Sequence, residues 1–163
     1  MNVLFITLVN YYNINEYSIY TDLLREFIKH GDSVYLVSPT ERKNNEETRV
    51  IELPNCSILK PRIGNIQKTN LIEKGISTLT LERQINKAIE KFWGNVKFDL
   101  VLYSTPPITL TSVIEYIKKR DRAKTYLLLK DIFPQNSADL GMLSTTGWKS
   151  MLFKYFRNKE KNE

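Results

Sequence analysis

NVLFITLVNYYNINEYSIYTDLLREFIKHGDSVYLVSP occupies residues 2–39, and its reading decides the fold. NVLFITLV (2–9) is a continuous apolar run of strand length, bounded by the polar stretch NYYNINEYS. Ile19, Tyr20, Leu23, Leu24, Phe27 and Ile28 then recur on one helical face, and Gly31 ends the pattern. SVYLVSP (33–39) is a second strand, stopped by its proline. Strand, helix and strand in so short a span demand a parallel pair joined by a right-handed crossover.

The alternation continues outward from this unit. Residues 40–47, ERKNNEET, read as a polar loop, and RVIELP and CSILKP as two short strands or one broken one. Residues 61–77, with Gly64 and Gly75, carry little pattern and are expected to form a mobile loop. The helical period returns from about Leu79, with Leu81, Ile85, Ala88, Ile89 and Phe92 on one face. FDLVLY (98–103) is strand, and TPPITLTSVIEYIKKR reads as a helix with Thr105 capping and Pro106 in the first turn. KTYLLLK (124–130) is the next strand, followed by a short helix to Gly141 and a last helix from about Thr146 to Asn158. This order predicts one α/β domain over 1–163: a Rossmann-like, doubly wound, mainly parallel sheet with helices on both faces.

Composition bounds what such a domain can be. A chain of 163 residues buries roughly two-thirds of its unfolded surface. Its 42% hydrophobic and 26% charged content is that of a globular protein. No apolar run approaches the roughly 20 residues of a membrane span. MNVLFITLV has neither a basic n-region nor a small-residue cleavage site, so no signal peptide is expected. The single Cys56 excludes an internal disulfide and fits a reducing cytoplasm. The single His30 excludes a His-cluster metal site, and beside Gly31 it suits the carbonyls of a helix end. The formal charge of +6 points to an anionic partner, whether nucleic acid, phosphorylated substrate or membrane surface.

In doubly wound sheets the ligand crevice lies outside the carboxyl ends of the strands. Asp131 follows the carboxyl end of the 124–130 strand, expected to be central and well buried, with Lys130 beside it. Ser104 and Thr105 end another strand, and Asn10, Tyr11 and Tyr12 follow the first. Carboxylates, amides, hydroxyls and flat rings suit sugar hydroxyls, and a helix beginning at Thr105 would offer free N–H groups to an anion. Asp131 fits equally as the cap of the following helix, and Ser104 and Thr105 read more readily as cap and turn residues. No glycine stands between Met1 and His30, and neither GxGxxG nor GxxxxGK[ST] occurs, which argues against dinucleotide and P-loop chemistry. A Ser-His-Asp set would need His30, which lies at the wrong end of its helix.

VLYSTPPIT (101–109) followed by TYLLLKDIFPQNSADLGML (125–143) resembles the N-terminal domain of bacterial GT-B glycosyltransferases of family 4, the capsule and O-antigen type. Their pattern reads S-x-P-P after one strand and R-D-L-W-P-E-S after the next. The resemblance implies the acceptor-side half of a retaining, metal-free and cofactor-free hexosyltransferase of surface polysaccharide synthesis. A missing C-terminal domain would bind the nucleotide-sugar. The acceptor would be a saccharide, commonly lipid-linked, with no nucleic-acid partner and a cytoplasmic or inner-membrane-face location. By motif, Asp131 takes the position set against the donor sugar, with Lys130, Phe133, Pro134 and Gln135 as neighbours. Gln135 stands where the family has Glu, and NYYNINEYS where it commonly has a glycine-rich loop. The rival expectations are a non-enzymatic α/β regulatory or binding module, and one subunit of a split transferase.

The last predicted helix carries Trp148, Met151, Leu152, Tyr155 and Phe156 as one apolar stripe, with Lys149, Lys154 and Arg157 around it. Such a helix can lie on an anionic membrane, through Trp148, Lys149, Lys154, Phe156 and Arg157, or can pack onto the protein.

Overall fold

The computed structural model describes residues 1–104 and 110–128. β1 (Asn2–Ile6), α1 (Ile19–Lys29) and β2 (Ser33–Val37) form the opening unit, with β1 and β2 parallel from Asn2–Ser33 to Ile6–Val37. Ser18 caps α1 by accepting from the Thr21 N–H, and the Thr21 hydroxyl accepts from the Ser18 N–H in return. At the other end Gly31 adopts φ 85°, its N–H donates to Ile28 O, and the Asp32 N–H reaches Phe27 O. That is a Schellman closure, which needs a residue tolerant of the left-handed region. His30 sits at the C-cap with Nδ1 2.8 Å from Glu26 O, the helix-end role expected of it.

β3 (Thr40–Glu41) and a 3₁₀ turn occupy the segment read as polar loop. β4 (Arg49–Leu53) and β5 (Cys56–Lys60) are two antiparallel strands, not one broken one. Pro54 and Asn55 turn between them, Asn55 at φ 56°, a conformation asparagine tolerates better than most residues. β6 (Arg62–Ile63) pairs with β3 in a small separate sheet. α2 runs from Leu71 to Trp93, β7 from Leu100 to Ser104, α3 from Thr111 to Asp121 and β8 from Lys124 to Leu128.

Two expectations are corrected here. Residues 61–77 are not one loop, because β6 takes Arg62–Ile63 and α2 begins at Leu71 and not near Leu79. Asn70 caps it by accepting from the Glu73 N–H, and Gly64 packs so closely that a Cβ there would meet Ser77 Oγ at 2.2 Å. Nor does the third helix start at Thr105. Its N-cap is Leu110, without a side-chain bond, and Thr105 and Pro106 lie outside the described residues. One face assignment also shifts, because Trp93 is buried at the end of α2 while Phe92 is partly exposed. Trp93 meets Tyr35 and Phe98 edge-on.

The main sheet has the order β4-β5-β2-β1-β7-β8, parallel except for β4 at the edge. Alternate residues of β1 enter two different cores. Val3 and Phe5 join Tyr20 and Leu24 of α1, whereas Leu4 and Ile6 join Leu81, Ile85, Ile89, Val113 and Ile117 of α2 and α3. Helices therefore cover both faces, which is why the first strand is apolar throughout and not alternating. The fold is a Rossmann-like α/β sheet. Among the described residues no helix is long and apolar enough to cross a membrane.

Candidate functional site

From β1 the chain winds one way, to β2 and β5, and α2 then carries it back past β1 to β7 and β8. The carboxyl ends of β1 and β7 thus form the switch point, where connections leave on opposite faces and a crevice opens. A cavity of about 680 Å³ lies there. Thr7 to Asn10 and Ser104 line it from the strand ends, Glu41 from β3 with Lys43 and Asn44 from the turn after it, and Ile63 from β6 with Gln67 from the segment after it. A groove of about 800 Å³ between α2 and α3 is larger, but it lies on the outer helical surface away from the strand ends.

Each wall is fixed by bonds that the local sequence supplies. Lys43 Nζ donates to Glu41 Oε2 at 2.8 Å and to Gln67 O at 2.8 Å, while Glu41 also accepts from the Ile66 N–H at 3.2 Å. Glu73, in the first turn of α2, accepts from Asn65 Nδ2 at 2.8 Å and pairs with Arg42 at 2.6 Å. Its carboxyl is held below the ordinary range, by Thr69 and Asn65 first and then by Arg42.

The first loop is built without glycine. Tyr11 N–H donates to Ser38 Oγ at 2.6 Å, and Glu16 Oε1 accepts from the N–H groups of Tyr12 and Asn13 at 2.7 and 2.9 Å. Tyr11 is 5% exposed and its hydroxyl donates to Ser18 Oγ at 2.8 Å, so its ring belongs to the core and presents no face to a ligand. Through these bonds Tyr11 positions the loop. Asn10 is exposed on the crevice lip, and Ser104 is buried at its floor. Tyr12 stands half-open, its hydroxyl donating to Glu46. Asp131, Lys130, Thr105, Gln135, Trp148, Lys149, Lys154, Phe156 and Arg157 lie outside the described residues.

Sequence reasoning missed Lys60, the last residue of β5. It is 0% exposed, yet it forms no ion pair among the described residues. Nζ donates to Asn10 Oδ1, to Tyr11 O at 2.9 Å and to Ser38 Oγ at 3.3 Å, and lies 4.2 Å from the Tyr12 ring centre. Burial pulls its pKa down to about 8, against the pull of Glu46 and Glu16. The available signal was a lone lysine ending an otherwise apolar strand, CSILKP, directly before proline. Cys56 at the other end of that strand is an inert thiol, pushed up to about 12 by burial. Among the described residues no group of three or more His, Cys, Asp or Glu could hold a metal ion.

No protein-family model matches the sequence, and no curated protein matches it. Over 87% of its length the chain is similar in structure, at TM-score 0.54 and 6% identity, to a solved structure described as "Trehalose-6-phosphate from E. coli bound with UDP-2-fluoro glucose". That neighbour is a glycosyltransferase of GT-B fold, and the present chain spans 38% of it. The likeness extends to the fold alone: a Rossmann-type α/β sheet.

Proposed function

We propose that the chain is the acceptor-side domain of a two-domain retaining glycosyltransferase, which moves a sugar from a nucleotide-sugar to a saccharide. The observation that carries this is the crevice at the β1/β7 switch point, walled by amides and hydroxyls on a GT-B-like half. Asn10, Asn44, Gln67 and Ser104 offer donors and acceptors spaced around a cavity, the means by which proteins hold sugar hydroxyls. The donor site belongs to a second domain facing this crevice. By the motif of the resemblance, Asp131 acts on the transferred sugar, with Lys130 as its neighbour in sequence. The finer role is polysaccharide assembly on a lipid-linked acceptor. For that role Trp148, Lys149, Lys154, Phe156 and Arg157 are the proposed membrane contacts.

A nuclear magnetic resonance titration of the isotopically labelled chain with neutral oligosaccharides tests the crevice. Saturable shifts confined to Asn10, Asn44, Gln67 and Ser104 are expected, and an unresponsive crevice would overturn the reading. In the complete enzyme, Asp131→Asn should lower kcat with folding intact, because it keeps a capping oxygen and removes only charge. Unchanged kinetics in that variant would leave Asp131 a helix cap.

A further inference from the structure

Lys60 is a buried cation whose partners are all neutral: a carboxamide oxygen, a backbone carbonyl, a hydroxyl and an aromatic ring. A buried charge normally earns its place through a partner of opposite charge. Of these four contacts, Asn10 is the one that also lines the crevice. Tyr11 O and Ser38 Oγ are fixed, since Ser38 Oγ donates to Val9 O at 2.8 Å and accepts from the Tyr11 N–H. Asn10 is therefore the contact shared by the ammonium and the cavity.

We propose that Lys60 is a latent anion site, in which a phosphoryl oxygen entering the crevice displaces the Asn10 carboxamide and takes the ammonium as its partner. Replacing a neutral acceptor by an anionic one turns an ordinary hydrogen bond into a charge-assisted one. The carboxylates that Lys60 feels are already engaged: Glu16 by the Tyr12 and Asn13 N–H groups, Glu46 by the Tyr12 hydroxyl and Arg49. Arg49, whose charge opposes that of Lys60, and Tyr11 and Tyr12 complete the titratable groups facing it. The site rests on the crevice reading and narrows its ligand to one carrying a phosphoryl group, which either a nucleoside diphosphate or a phosphorylated acceptor could bring.

Sulfate, whose charge is constant from pH 7 to pH 9.5, is the probe. At constant ionic strength it should give saturable amide shifts in Asn10–Tyr12 and Ser38. The affinity should weaken by about tenfold or more across that range, as the ammonium that would hold the ion deprotonates near pH 8. Folded Lys60→Met should bind at least about tenfold more weakly, the size of a lost hydrogen bond to a charged group. Absent shifts, pH-independent affinity, or an undiminished Lys60→Met would each overturn the site. If that variant does not fold, the wild-type pH series decides alone. Parallel titrations with UDP and glucose 1-phosphate separate the two sources by which binds more tightly, and silence from both overturns the proposal. A neutral oligosaccharide that shifts Asn44 and Gln67 while sulfate does nothing would leave the saccharide crevice standing and remove the anion site.

Discussion

At the scale of the residue, Lys60 carries the sharpest consequence, because its burial makes stability depend on pH. In an unfolded chain its pKa is near 10.5, and in the fold it is about 8. Between those values the unfolded state holds more protons than the folded one, so this residue's contribution to stability rises with pH through that window. Below pH 8 both states are charged, and the cost of desolvating the ammonium is carried in full. The difference corresponds to roughly 3 kcal/mol at most. Urea unfolding of the wild type and of Lys60→Met at pH 7.5 and pH 10 checks it. Relative to the variant, the wild type should gain stability at the higher pH, and parallel curves would refute the assignment. Tyr11 teaches the reverse lesson: a residue chosen as a ligand contact for its chemistry is held in the core by its hydroxyl's bond to Ser18. Residue type at a strand end could be read from the sequence, but the direction of the side chain could not.

At the scale of the element, α2 shows why a helix can escape a periodicity reading. Its first turns expose Ile76 at 60% and Leu79 at 84%, while buried Ser77 faces Gly64. Apolar residues outside and a polar one inside cancel the amphipathic signal that Leu81, Ile85 and Ile89 later restore. Start signals were present in Asn70 and Glu73, but the glycine between them and the regular face masked them. Gly75 is helical, with nothing within 4 Å of where its Cβ would stand. Gly75→Ala therefore introduces no clash and removes unfolded-chain entropy, and it should stabilise the protein by about 0.5–1 kcal/mol. A thermal or urea midpoint that stays put or falls would show that the first turns of α2 are not helical in solution. By contrast β1, α1 and β2 were legible as elements, because a strand buried on both faces and a capped amphipathic helix each leave a strong local pattern, although β1 ends at Ile6 and not at Val9.

At the scale of the whole molecule, the parallel sheet and the rim at its strand ends followed from the alternation of strand and helix, but the strand order, with β8 at an edge among the described strands, did not. The far wall did not, because β3, β6 and the Glu41–Lys43–Gln67 bonds join segments more than twenty residues apart. What the molecule can bind alone follows from where its backbone donors go. Around the first loop, the N–H groups of Thr7, Val9, Tyr11, Tyr12, Asn13 and Asn15 are all bonded within the fold. A pyrophosphate cradle needs such groups free and a glycine backbone that lets the phosphate approach, and this loop has most of its donors engaged and no glycine. A lysine reached by turning one asparagine aside provides a single charged contact in their place. Calorimetric titration of the chain with UDP-sugars should therefore show nothing tighter than about 1 mM, near −4 kcal/mol. Micromolar affinity would mean that the donor site lies within this half, and the division into an acceptor-side domain and a separate donor domain would have to be abandoned.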